Sequence, residues 1–202
     1  MNKGDIRSHF KALLNRSDCS DTLADTFVDQ SIARIQRTLR IPSMEKQQSY
    51  TLSAATTLLV LPNDFLEIIN LYYDNTSLTR VPLNQIMEYK DANENGTPKF
   101  FTREGSSLLI YPHPTSGAVK LNYYGQFADM TADSDENALA QASSDLIIYG
   151  ALSYSSDYYL DERGPLFEQK FMQFLAEIQE QANDAEMSGT VQAMRPTTAY
   201  ED

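Results

Sequence analysis

Histidine and cysteine are scarce in this chain: His9, His113 and Cys19 are all that 202 residues contain. A metal site needs several such ligands converging, and the two histidines fall in unrelated segments, so neither a metal nor a cofactor is expected. One cysteine cannot form an intramolecular disulfide, which excludes a secreted disulfide scaffold and points to a reducing compartment. Cys19 also lies between Asp18 and Asp21, the opposite of the electropositive setting that activates a thiol. The chain has no G-x-S-x-G nucleophile turn, no G-x-x-x-x-G-K-[ST] phosphate loop and no G-x-G-x-x-G.

Positive charge is also short, with 16 Lys and Arg against 28 Asp and Glu for a formal −12. That balance opposes tight binding to nucleic acid, where cations must neutralise phosphates, and opposes anionic membranes. It favours solubility, or a surface that repels DNA. Apolar runs stay short, Leu58-Leu59-Val60-Leu61 for example, against the ~20 residues of a membrane span. The opening Met1-Asn2-Lys3-Gly4-Asp5 lacks the apolar stretch of a signal peptide, so synthesis in the cytoplasm is expected.

Tryptophan is absent, yet there are 12 Tyr and 9 Phe. Tyr suits both strands and surfaces that become buried in a partner. Ile6, Phe10, Leu13 and Leu14 recur at helical spacing, and a second helix follows Ser20 or Asp21, either of which can cap it. Its apolar face is Leu23, Phe27, Val28, Ile32, Ile35 and Leu39. Arg34, Arg37 and Arg40 complement the dipole at its end, and Pro42 stops it.

From about residue 47 to 127 the pattern is that of strands. Tyr50, Leu52 and Thr57 to Leu61 precede the Pro62-Asn63-Asp64 break. Phe65 to Tyr73 and Leu78 to Val81 flank the turn cluster Asp74 to Ser77 as a hairpin. Lys99 to Thr102, Ser107 to Tyr111 and Val119 to Tyr124 read as antiparallel arms, joined by turns at Arg103 to Ser106 and Pro112 to Gly117. Helical patterning returns after Asp133, where Gly150 permits a close helix approach. Gly164-Pro165 starts a last helix that buries Phe167, Phe171, Phe174, Leu175 and Ile178 and turns Glu168, Gln169, Gln173 and Glu177 to water. Gly189 is its expected stop.

The expected fold class is therefore α+β: a bundle of about four helices drawn from both chain ends, with an inserted antiparallel β-rich lobe. Residues 1–42 and 131–188 supply the helices, 43–130 the lobe, and 189–202 a flexible tail.

Leu61-Pro62-Asn63-Asp64-Phe65-Leu66-Glu67-Ile68 is followed by Gly96-Thr97-Pro98-Lys99-Phe100-Phe101, then Leu109-Ile110-Tyr111-Pro112-His113-Pro114. Val119-Lys120-Leu121-Asn122-Tyr123-Tyr124 and Asp145-Leu146-Ile147-Ile148-Tyr149-Gly150-Ala151-Leu152 complete the series. In order and spacing these pieces resemble the head-to-tail connector, or adaptor, proteins of tailed bacteriophages, a family that includes podovirus tail tubular protein A. The likeness spans about residues 1 to 190. It implies a structural protein of the virion neck, made in the host cytoplasm and assembled beneath the portal as a ring, commonly a dodecamer. Such a ring extends the channel through which DNA passes without specific binding, and it docks tail or nozzle proteins. The segment that reaches the portal would be the tail, with Arg195, Pro196 and Tyr200 as anchors. His113, Pro114 and Thr115 form the candidate docking loop for tail proteins.

Two other readings compete. One is an acidic interaction module that never forms a ring. The other is a carboxylate-dependent hydrolase using Asp64 and Glu67, set against the simpler possibility that Asp64 shapes a turn while Glu67 faces solvent on a strand.

Overall fold

A computed structural model describes residues 1–53, 58–90 and 95–187. The fold is α+β and divides into two compact units: one gathers Met1–Ile41 with the described residues from Met130 to Met187, the other is Pro42–Asp129.

In the helical unit, α1 (Lys3–Leu14) starts at Asn2, whose side chain accepts the Asp5 N–H, and ends at Asn15 in the left-handed region. Short polar side chains suit both positions. Helix α2 (Asp21–Thr38) is capped by Ser20, whose Oγ accepts from Leu23 N at 3.2 Å. Arg40 donates to the open carbonyls of Gln36 and Leu39 at its end, at 3.0 and 2.7 Å. The expected basic complement to this helix end is present.

Arg34 does something else: its guanidinium reaches Glu168 at 2.8 Å and lies 4.3 Å from the Phe171 ring centre. Glu168 thus does not simply face water as its helix position suggests. It accepts from Arg34 and also from Ser153 Oγ at 2.6 Å. Leu13 departs from the expected core and is exposed, while Ala24 and Ser31 join it.

The expected helical return after Asp133 begins later. Residues 130–137 run irregularly beside α1, where Lys3 N and Gly4 N donate to the carbonyls of Asp135 and Asp133. Helix α4 (Ala138–Ala142), counting the lobe's helix below as α3, then leads into α5 (Ser144–Tyr159).

Helix α5 is buried nearly all round, through Leu146, Ile147, Ile148, Ala151, Leu152 and Ser155. It packs against α1, α2, α4 and the last helix, α6 (Gly164–Met187). A Cβ on Gly150 would fall 2.2 Å from Ser31 Oγ and 3.0 Å from the Phe171 ring. Only glycine admits α2 and α6 that close. Gly189, the expected helix stop, and the tail lie outside the described residues.

The second unit is a two-layer sandwich with a helix on one outer face. The first sheet holds β1 (Glu45–Ser53), β8 (Ser116–Gly125), β3 (Phe65–Tyr73) and β4 (Thr76–Ser77), in that order. The second holds β2 (Leu58–Val60), β7 (Ser107–Tyr111), β6 (Phe100–Glu104) and β5 (Thr79–Arg80). All pairings are antiparallel except β5 with β6.

Leu52, Leu71, Val119 and Leu121 of the first sheet meet Leu59, Phe101, Leu108 and Ile110 of the second in one core. The other side of β7, Leu109 and Tyr111, packs on Ile86 of α3 (Leu83–Lys90). Burial on both faces explains why β7 reads as a continuous apolar run.

The expected hairpin return at Leu78 to Val81 is corrected. Thr76 and Ser77 pair back to β3, across Asp74 and Asn75 at φ 42° and 72°, and Leu78 N still donates to the Leu71 carbonyl at 2.8 Å. Leu78 drops into the sandwich core, and Thr79–Arg80 continues in the other sheet, parallel to Phe100–Phe101. Burying Leu78 outweighs prolonging a hairpin whose next residues are polar. The turn between β6 and β7 is also tighter than expected, two residues rather than four.

Replacing Gly150 with Ala should overpack the junction of α2, α5 and α6 and cost about 2 kcal/mol in urea unfolding. Adding Ser31→Ala removes the nearest clashing atom and should recover part of that loss. An unchanged midpoint in Gly150→Ala would contradict the close approach.

Candidate functional site

The Leu61 to Ile68 stretch forms a corner of the sandwich. Pro62 and Asn63 turn the chain, and the Asp64 carboxylate accepts from Lys46 Nζ of β1 at 2.6 Å and from Tyr123 Oη of β8 at 3.1 Å. Lys46 Nζ also donates to the Gln126 carbonyl at 2.8 Å, and Gln126 N donates to the Asp64 carbonyl at 2.8 Å. Phe65 stacks on Tyr123 with ring centres 5.9 Å apart. Gly125 leaves the room that the Lys46 chain fills, since a Cβ there would lie 2.7 Å from Lys46 Cδ.

The electrostatics follow from this clip. Partial burial pushes the Asp64 carboxyl upward, but the hydrogen bonds from Lys46 and Tyr123 outweigh it, and the net direction is down. Burial and the bond to Asp64 push the Tyr123 hydroxyl up to about 12. A general acid or base works best with its pKa near the operating pH, and Asp64 moves away from it. Glu67 is exposed on β3 opposite Tyr124. Asp64 acts here as a structural tie between β1, β3 and β8. Lys46 and Tyr123 were not singled out from sequence, because strand register alone brings them to it.

Among the candidate docking residues, Pro114 is buried, His113 half-buried and Thr115 exposed. The loop is pinned from both sides. Gly96 N donates to the His113 carbonyl at 2.9 Å, Tyr73 Oη donates to Ser116 O at 3.0 Å, and Ala118 N donates to Asp74 Oδ1 at 3.0 Å. Gly117 sits at φ 113°, with the Tyr73 ring filling the space where a side chain would stand. Thr115 is the exposed residue of the three, and the buried Pro114 shapes the loop. His113 Nδ1 is buried without a hydrogen-bond partner among the described residues. Arg195, Pro196 and Tyr200 lie outside the described residues.

Sequence reasoning overlooked one pole of the helical unit. There the ends of α1 and α5 meet the start of α6, tied by Arg163, which donates to the Leu13 and Leu14 carbonyls at 3.3 and 3.1 Å. Leu13, Tyr158, Leu160 and Leu166 are all exposed at this pole. Leu160 is 89% exposed at φ 52°. Its apolar side chain inside a charged turn was the available signal. Beside it opens a cleft of about 510 Å³, lined by Ser153, Ser156, Asp157, Asp161 and Glu168 among others. The Asp161 carboxyl is held down to about 2 by hydrogen bonds from the Arg163 side chain and backbone.

Among the described residues no group of three or more His, Cys, Asp or Glu side chains could hold a metal, and no helix is long and apolar enough to cross a membrane.

Asp64→Asn should lower the stability of the sandwich by about 1 kcal/mol, the scale of a partly exposed charge-assisted contact. The sign with pH is defined. Asp64, depressed in the fold, contributes fully above the usual carboxylate pKa of about 3.9 and loses that contribution as pH falls through its lower folded value. Tyr123, raised to about 12, contributes fully below its ordinary value and loses that contribution as pH rises through about 12. The Asn variant should therefore weaken the acid dependence of unfolding and bring the Tyr123 absorbance titration back toward neutral pH. Identical titrations in both proteins would refute the clip.

No curated protein matches this chain. The family model described as SU10 adaptor protein matches residues 1–196. With its helical unit, inserted sandwich and structural use of the one conspicuous carboxylate, the chain belongs to the SU10 adaptor protein family, a family of structural head-to-tail adaptors of phages.

Proposed function

We propose that the chain assembles as a ring beneath the portal of a tailed phage, extends the DNA channel and docks tail or nozzle proteins, in the manner of podovirus tail tubular protein A. The match over residues 1–196 carries this reading. The chemistry is consistent with it: the one candidate acid–base carboxylate is tied to Lys46 and Tyr123.

The formal charge of −12 suits a channel component. An acidic wall repels the phosphate backbone, so DNA slides rather than sticks. A ring of identical copies needs a head-to-tail contact between two different surfaces of the chain, which closes when the rotation allows. In this proposal the copy number is twelve, the number that the likeness to head-to-tail connectors implies. The segment after Gly189 reaches along the portal, with Arg195, Pro196 and Tyr200 as contacts, and the His113 to Thr115 loop meets the tail side through Thr115.

Native mass spectrometry of the chain, alone and with assembled portal, tests the proposal. A monomer alone and a ring on the portal are expected. Truncation before Gly189 should weaken portal association at least tenfold, about 1.4 kcal/mol, while leaving the thermal unfolding of both units unchanged. A chain that stays monomeric beside an assembled portal would favour the acidic interaction module that forms no ring.

A further inference from the structure

The sequence holds a single Asn-Gly pair, Asn95-Gly96, and the fold sets it against Pro112 and His113. Asparagine followed by glycine closes on itself readily, because glycine has no Cβ to obstruct attack on the asparagine side chain. The fold does not call for glycine at this position. Gly105 and Gly117 take positive φ, and a Cβ on Gly125 or Gly150 would collide with a neighbour. At Gly96 a Cβ would meet only Pro112, at 3.5 Å, which is ordinary contact.

What the fold supplies is a restraint. Gly96 N, the atom that would attack, donates to the His113 carbonyl at 2.9 Å. Asn95 faces His113 in an isolated parallel bridge. Both residues are exposed, so water reaches them. A lone bridge at the surface opens locally far more often than the strands of a core.

We infer that Asn95-Gly96 is a modification site that the chain itself operates: it converts through a cyclic imide to aspartate and isoaspartate, at a rate set by how often Gly96 lifts from His113. The Gly96 N–H gives its proton to hydroxide, and the nitrogen attacks Asn95 Cγ. A bond from Cγ to that nitrogen forms, the bond from Cγ to the side-chain nitrogen breaks, and ammonia leaves with a proton from water. Water then opens the imide at either carbonyl. Both products place a new carboxylate against the His113 loop. Isoaspartate also inserts a carbon into the backbone, which ends the register of the bridge. The reaction needs only this chain and water, so it stands whether or not the chain forms a ring.

Peptide-mapping mass spectrometry tests it on the full chain, held at mildly alkaline pH for increasing times with and without urea. Conversion should be concentrated at Asn95, and about tenfold or more slower in the folded chain than in urea. Hydrogen exchange of the folded chain should show the Gly96 amide protected. Gly96→Ala should keep the unfolding midpoint, since the fold has room for the methyl group. The same variant should slow conversion in urea by about tenfold or more, because the methyl group obstructs ring closure.

Equal rates with and without urea overturn the inference, as does an Asn95 that stays intact in urea. An unprotected Gly96 amide overturns it too. So does a Gly96→Ala chain that converts in urea as fast as the unmodified one, because the side chain would then be hydrolysed directly, without the imide.

Discussion

Helix α5 has to be covered on every side, and the helical unit is arranged to cover it. Leu146, Ile147, Ile148, Ala151 and Leu152 bury its central turns nearly all round, so α1, α2, α4 and α6 each serve as a wall. The tightest wall is at Gly150, where α2 brings Ser31 and α6 brings Phe171 to distances no larger residue tolerates. Ser31 Oγ then donates to the Ile147 carbonyl at 2.9 Å, so the hydroxyl buried by this approach is satisfied. Packing of this density is close to all-or-none. Helices separated by the whole sandwich segment in sequence therefore form one unit.

The sandwich solves a different problem. Among the described residues three of its four edge strands have only two or three residues, which limits stray pairing. Its layers are held by one shared apolar core, and at a corner the Lys46, Asp64 and Tyr123 cluster ties three strands of the first sheet. Motif residues that look chemical in a sequence are here mechanical. Asp64 connects three strands, and Pro114 shapes a loop. In an adaptor, shape and surface are the function, so such residues matter as much as catalytic ones would elsewhere.

Much of the fold is legible in signals that lie close together along the chain. Helical periodicity around Phe10, Phe27 and Phe171, the cap at Ser20, the helix start at Gly164-Pro165, and the arms around Leu109 and Leu121 are local signals with local causes. The departures are tertiary in origin. The chain leaves the expected hairpin after Leu78, whose side chain enters the shared core, and Thr79–Arg80 joins the other sheet. Glu168 leaves the expected water-facing set because Arg34 and Ser153 stand across from it. Of the candidate docking loop, the turn itself is legible, but which of its residues reaches solvent is not. That depends on the neighbours at Tyr73, Asp74 and Gly96.

By itself the sequence determined the α+β class, the inserted position of the strands, the scarcity of histidine and cysteine, and the likeness to adaptors. Each of these rests on composition, or on spacing along the chain. Only the tertiary structure decided that Asp64 is a tie between strands, that Gly150 seats two helices, and that Leu160 stands bare at a strained helix end. Those facts depend on which distant residues share a few ångströms, and neither period nor composition encodes that.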